Sequence, residues 1–252
     1  SNGETLRSFS SLTSKGNQRS PARGPRLSTK AGFHQFVWDM RCEGARPVPG
    51  DVLTEGILAG PLVPPGHYQV QLSSSVQTLS ESLYIAKDPR SNATQEDLES
   101  QYSLLVSIRE KISATHDAVN RIRSIKTQLQ EWVSKARSDD RVSGAISEAA
   151  SQLNDKLSVI EEELIQTQAN APEDRVNLPT RLNAKLTGLV SAVASAADAP
   201  PPQQCKEVFD LLSSQSDHEL RALKRIEEDD LAAFNNLIQE LELPGILPTA
   251  TT

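Results

Sequence analysis

The spacing of hydrophobic residues changes once along the chain, near residue 90, from alternation every second residue to recurrence every three or four residues. Alternation is typical of strands with one buried face, and the longer spacing is typical of amphipathic helices. The pattern therefore predicts a β domain over residues 1–89, a helical domain over residues 90–243 and a frayed tail over residues 244–252.

The first strands are predicted from short alternating runs. One is expected at about residues 4–10, and another from Phe33 to Arg41, where Phe36 and Trp38 alternate with Gln35 and Val37. On such a strand we expect Trp38 to belong to a domain core.

Two further strands follow a Pro-Pro-Gly turn at residues 64–66. The first places Tyr68, Val70 and Leu72 on one face, and the second covers residues 76–86. Short strands separated by proline and glycine turns favour a small antiparallel β-sandwich of Ig-like or FnIII-like type, truncated at its N-terminal strands.

Four helices are predicted after residue 90. Thr94 and Asp97 have the spacing of a capping box and begin the first helix, which continues to Ala136. The second covers about residues 139–169, the third begins at residues 177–179, and the fourth runs from about residue 199 to residue 243. Short connections favour antiparallel neighbours, so we expect an up-down-up-down four-helix bundle and an α+β protein of two domains.

Charge narrows the range of partners. The net charge is −7 and the pI is about 5.2, which disfavours nucleic acid as a partner, and no apolar run is long enough to span a membrane. Basic residues cluster only near the N-terminus, where a nucleic-acid arm or a transit peptide is less favoured than a solvated loop over about residues 12–26.

Candidate chemistry is sparse. The acidic runs at residues 161–163 and 227–230 lie on predicted helices between apolar positions, as solvated faces do. The four histidines lack metal-binding spacing, and no phosphate loop or catalytic triad is present. Cys42 and Cys205 are interpreted as separate thiols, with a disulfide as the alternative. We therefore expect no catalytic residue, no metal and no cofactor.

Three residues remain as a possible ligand or partner surface. Trp38 is able to stack on a sugar, and His116 is expected either in a polar layer between helices or at the edge of the bundle. Trp132, with Leu104 and Ile125, lies off the main apolar stripe of the first helix. On this helix we expect Leu104, Ile125 and Trp132 to form either a second apolar face for oligomerisation or part of a wide face toward the core.

Several motifs resemble one bacterial family. Residues 33–41 (FHQFVWDMR), 46–50 (RPVPG) and 60–68 (GPLVPPGHY) are similar to an Ig-like module related to that of the flagellar hook-capping protein. Four later motifs, in the same order, resemble the C-terminal region of large β-propeller proteins with BNR or sortilin-type repeats that carry a glycosyl hydrolase designation. These are residues 87–90 (KDPR), 116–123 (HDAVNRIR), 181–186 (RLNAKL) and 230–235 (DLAAFN).

The resemblance implies a non-catalytic accessory or interaction region of a larger exported protein, because the hydrolase designation belongs to a propeller that this sequence lacks. Partners would be that N-terminal β-propeller or another protein. Alternative hypotheses are the substrate-capturing part of a glycoside hydrolase, which would bind a saccharide, and a helix-mediated oligomerisation module. The family implies an extracellular, periplasmic or cell-envelope location. The start at Ser-Asn-Gly leads us to expect a fragment of a longer chain.

Overall fold

The computed structural model describes residues 3–12, 26–54, 58–136, 140–195 and 199–241. The chain is mostly helical, with one two-stranded antiparallel sheet among these residues. The elements are β1 (Gly66–Ser73), β2 (Thr78–Ile85), α1 (Gln95–Ala136), α2 (Asp140–Leu164), a 3₁₀ turn (Pro172–Val176), α3 (Leu182–Ser195), α4 (Gln203–Arg225), a π turn (Ile226–Asp230) and α5 (Leu231–Glu240).

Helix α1 is the longest element and begins at the predicted cap. The Thr94 amide donates to the Asp97 carboxylate at 2.9 Å, and the Asp97 amide donates to the Thr94 hydroxyl at 3.1 Å. This reciprocal pair confirms the predicted capping box. With 42 residues, α1 is roughly 63 Å long.

The other helices pack along α1 in two rows, and the row formed by α2 and α3 runs against α1. Arg123 and Lys126 of α1 contact Glu161 of α2, and Lys126 also contacts Ser158, so α2 runs against α1. Near the start of α1, the Gln101 side chain donates to the carbonyl of Val193, close to the end of α3. Helix α3 therefore also runs against α1.

The last helices run in the same direction as α1. Thr115 of α1 contacts Ser216 of α4, and further along α1 Arg121 lies 3.3 Å from Glu227 in the π turn that follows α4. Residue numbers therefore rise in the same direction along α1 and along α4. The order of helix directions is therefore up, down, down, up, and the predicted up-down-up-down order is wrong. The physical reason is length, because α2 and α3 must lie end to end to cover the 42 residues of α1.

The predicted β-sandwich is also wrong, and with it the Ig-like fold class. In the described residues the sheet consists of β1 and β2, paired from Gly66 with Ile85 to Ser73 with Thr78. These two strands lie where the alternation predicts them. Alternation specifies which residues share a face, but it does not supply a second sheet to cover that face.

The predicted strand from Phe33 to Arg41 does not form. Its ladder is limited to one bridge between Arg41 and Leu62, and Phe33 is 95% exposed. The chain after it leaves the sheet region and packs on α1, which removes the continuous partner that a strand requires. The short strand expected at residues 4–10 is likewise an extended segment, with Leu6 accepting a hydrogen bond from the amide of Glu43.

The core includes residues from both parts of the chain. Ala45, Val48 and Leu58 belong to the same buried cluster as the helices. The domain boundary at residue 89 stays a prediction. Most of the predicted basic loop (residues 13–25 of 12–26) and the frayed tail (244–252) lie outside the described residues.

Candidate partner-binding surface

An extended segment, residues 42–51, crosses the surface of α1 and is called the strap here. Side chains of α1 donate to its backbone carbonyls: Arg109 to Glu43 at 3.2 Å, Asn120 to Pro47 at 3.1 Å and Arg123 to Pro49 at 2.9 Å. Because the donors come from a rigid helix, the strap is held by its backbone.

The register of these bonds follows from simple geometry. The contacts advance from Arg109 to Arg123 on α1, a rise of roughly 21 Å at ~1.5 Å per residue. On the strap they advance from Glu43 to Pro49, roughly 20 Å at ~3.4 Å per residue. An extended chain running in the same direction as α1 therefore meets a new donor about every helical turn.

Side chains of the strap add further bonds. The guanidinium of Arg46 forms a bidentate ion pair with Asp117 of α1, and this hydrogen bond raises the pKa of Arg46. At the other end, Asp51 is buried and accepts hydrogen bonds from Thr54 and, at 2.8 Å, from Asn183 of α3. The strap thus connects α1 with α3.

His116 lies beneath the strap and has no exposed surface. Its Nδ1 donates to the carbonyl of Arg46 at 2.6 Å, whereas its Nε2 is buried without a partner. Burial lowers the pKa of His116. The Arg46 carbonyl and the carboxylates of Asp51 and Asp117 raise this pKa by smaller amounts, so the net change is a decrease. A neutral ring protonated at Nδ1 fits this site, because the carbonyl accepts only from an N–H.

The three residues suggested as a ligand or partner surface do not lie together. Trp38 is half-buried, its indole N–H donates to the carbonyl of Arg41 at 2.9 Å, and its ring meets Tyr68 edge to face. Trp132 is buried in the core, about 24 Å along α1 from His116. Leu104 and Ile125, the other residues off the main stripe, are buried too, so α1 has a wide core-facing surface.

Sequence reasoning missed the polar face of α1 that holds the strap. Five side chains of this face form hydrogen bonds with the strap backbone, four as donors and Ser113 as the acceptor for the Arg46 amide. They recur at intervals of four and three residues, which is the spacing of one helical face. They are Arg109, Ser113, His116, Asn120 and Arg123. Polar residues at this spacing beside an apolar stripe are a signal that a search for apolar periodicity alone overlooks.

A second surface is formed by exposed hydrophobic side chains. Among the described residues, fifteen large hydrophobic side chains are exposed, and ten of them fall within residues 33–84. We call these ten the apolar N-terminal surface. They are Phe33, Phe36, Val37, Met40, Leu62, Val70, Leu72, Val76, Leu79 and Tyr84.

The hairpin contributes exposed hydrophobic side chains on both of its faces. In the register of β1 and β2, Val70, Leu72 and Leu79 share a face with Glu81, which pairs with Val70, and each of the three is more than half exposed, whereas Tyr84 lies on the other face. The opposite face carries mainly glutamine, serine and threonine. A two-stranded hairpin with a bare apolar face is marginal in water, so a covering element is expected.

A cavity of about 310 Å³ lies between residues 59–65, α1 and α3, with Tyr102 among its lining residues. Burial raises the pKa of Tyr102, and burial likewise raises the pKa of the nearby Cys42 thiol. Cys42 and Cys205 are both free. The environment of Tyr102 and Cys42 favours the protonated, unreactive form of these two groups.

Within the described residues, no cluster of histidine, cysteine, aspartate or glutamate side chains has the arrangement of a metal site. In the same residues, we find no helix with the length and hydrophobicity of a membrane span. Comparison with protein-family models, with curated proteins and with solved structures found no match to this chain. The family resemblance of the sequence motifs therefore stays a prediction.

Proposed function

We propose that this chain is a non-catalytic interaction region, in which the helices form a scaffold and the apolar N-terminal surface docks on another polypeptide segment. The observation that carries the proposal is the uneven distribution of exposed hydrophobic side chains. Ten lie within residues 33–84, whereas four lie among the described residues of 95–241. Exposed apolar patches of this kind mark interaction sites.

The energetics favour a partner that covers much of this surface. Full burial of a large apolar side chain contributes ~1.5–3 kcal/mol, so covering half of these ten partly exposed side chains would contribute on the order of 5–9 kcal/mol. Association itself costs roughly 4–15 kcal/mol. A stable complex therefore requires a broad interface, or a partner segment tethered in the same polypeptide.

The sequence resemblance suggests such a partner. A β-propeller that precedes this region in the same polypeptide would be tethered, and the protein would then function outside the cytoplasm. Another protein with a broad complementary surface satisfies the same energetic requirement. Saccharide capture has less support, because the indole N–H and ring edge of Trp38 already have partners within the chain.

Site-specific photo-crosslinking in the native host tests the proposal. A photoreactive residue replaces Val37, which is 71% exposed on the apolar N-terminal surface, or Val159, which is 66% exposed on α2. The two positions match in residue type and exposure. We expect Val37 to crosslink to one defined polypeptide segment, identified by mass spectrometry of the linked peptides, and Val159 to give no specific product.

The outcomes separate the hypotheses. A crosslink between Val37 and a propeller segment or another protein supports docking and identifies the partner. A crosslink between two copies of this chain supports oligomerisation instead. Equal, non-specific labelling at Val37 and Val159 would refute the proposal.

A further inference from the structure

The outer edges of the hairpin provide backbone hydrogen-bonding groups for a partner, in addition to the exposed side chains of the apolar N-terminal surface. The sheet in the described residues has two strands, so β1 and β2 each have one edge without a neighbouring strand. Such an edge presents a row of free amide and carbonyl groups, which serves as a template for another strand. The residues that lead into β1 already pair with another segment, because the amide of Val63 donates to the carbonyl of Met40 and the amide of Cys42 donates to the carbonyl of Pro61, which leaves β2 with the freer edge.

The hydrogen bonding of the hairpin defines which groups of β2 are available. Next to the turn, the amide of Ser74 donates to the carbonyl of Gln77. Antiparallel ladders alternate between bonded and non-bonded pairs, so the backbone groups of Thr78, Ser80 and Ser82 point away from β1. All three residues are exposed.

The edge also lacks the features that protect natural edge strands from pairing. Lysine, proline and inward charges commonly blunt an edge. Strands β1 and β2 contain no lysine, arginine or proline, and Glu81 is their one acidic residue. A segment that pairs here therefore meets little electrostatic repulsion, and an uncharged segment is favoured.

We propose that the partner of the apolar N-terminal surface adds an extended, uncharged strand to the outer edge of β2, with alternate apolar side chains beside Leu79. This inference rests on the proposed function and specifies how the partner binds. A second copy of the hairpin is a poorer occupant. The face that contains Leu79 exposes three hydrophobic side chains beside Glu81, far fewer than the ~20–30 residues a side of a standard interface. Edge pairing adds backbone hydrogen bonds that a face-to-face contact lacks.

The test uses the full chain and a synthetic nine-residue peptide of alternating valine and threonine. A second peptide of the same sequence carries N-methyl groups on its threonine amides, which face β2 in antiparallel pairing when the valine side chains lie beside Leu79, so that this pairing is blocked and the side chains are kept. Binding is measured by NMR titration of the labelled protein, and amide hydrogen exchange locates the contact. We expect protection at Ser80 and Ser82, and at least tenfold weaker binding of the methylated peptide.

Two variants test the side-chain contribution. Leu79→Thr removes an apolar side chain from the bare face and is expected to weaken binding about threefold, in line with cross-strand pairs. Ser80→Ala changes the neighbouring residue on the opposite face, and we expect unchanged affinity. Both substitutions keep the backbone amide, so circular dichroism should show the same fold as the parent chain.

Equal binding of the two peptides, absence of binding, or protection away from β2 would overturn strand addition. If the Val37 crosslink to a partner still forms in that case, the docking function stands and the edge mechanism alone fails. If neither crosslink nor peptide binding is observed, both proposals fail. Concentration-dependent association of the free chain through β2 would replace the partner strand by a second copy.

Discussion

Acidification should destabilise the fold through His116. Burial lowers the pKa of this side chain below its ordinary value of 6.5, and the buried Nε2 has no acceptor for a second N–H. The unfolded chain therefore takes up a proton at a higher pH than the folded chain. The contribution of His116 to stability is fully present above pH 6.5 and is lost as the pH falls toward the pKa of the folded state.

The magnitude follows from the difference of one proton. While folded His116 stays neutral and unfolded His116 is charged, the free energy of unfolding falls by up to about 1.4 kcal/mol per pH unit. Because the unfolded histidine is half protonated at pH 6.5, the loss summed from pH 6.5 to pH 5.5 is about 1 kcal/mol, which lowers the Tm of a chain of 252 residues by roughly 2–4 °C. Thermal unfolding followed by circular dichroism at several pH values measures it.

A pair of variants isolates the histidine. His116→Asn keeps an amide donor near the position of Nδ1, and His67→Asn removes an exposed histidine from β1. We expect the first to flatten the change in Tm between pH 6.5 and 5.5 and the second to retain it. If His116→Asn kept the same pH dependence as the parent chain, the reasoning from the buried Nε2 would be refuted.

Three further substitutions test the packing of the strap and the bundle. Asn183→Ala removes one of the donors to the buried carboxylate of Asp51 and leaves it the Thr54 hydroxyl and the Leu53 amide, so it should lower the free energy of unfolding in urea by about 1–3 kcal/mol. Gly60→Ala places a Cβ against the carbonyl of Cys42, and we expect a loss above ~2 kcal/mol and poorer protection of nearby amides from exchange. Burial alone would raise the pKa of Glu161, but hydrogen bonds from its two basic partners on α1 more than offset this and lower it. Glu161 therefore stabilises the fold above pH 4.5, and this contribution is lost as the pH falls below 4.5. A Glu161→Gln variant whose free energy of unfolding fell with pH as steeply as that of the parent chain below pH 4.5 would contradict this.

The helices were accessible from the sequence because their determinants are local. Apolar residues spaced three and four apart define one face of a helix, and the Thr94–Asp97 pair begins α1 where predicted. The same holds for β1 and β2, whose alternation and Pro-Pro-Gly turn act over a few residues. Wherever the pattern involves contacts within about one turn, residue order alone is sufficient.

The sequence misled where the outcome depends on distant partners. Phe33 to Arg41 alternates like a strand, yet a strand requires a ladder, and the chain that follows is bound by α1 instead. The direction of the helices also depends on lengths compared across the whole chain. One long α1 is covered by α2 and α3 placed end to end, an arrangement that short-loop reasoning does not predict.

The candidate site shows the same division. The sequence by itself determined the polar residues of α1, the apolar residues of the hairpin and the lack of a recognisable catalytic motif. The tertiary structure alone decided that His116 is buried under the backbone of Arg46 and that Trp132 lies in the core. It also decided that the apolar face of the hairpin stays exposed, because burial depends on which distant segment reaches a face, and the pattern within a segment does not specify that segment.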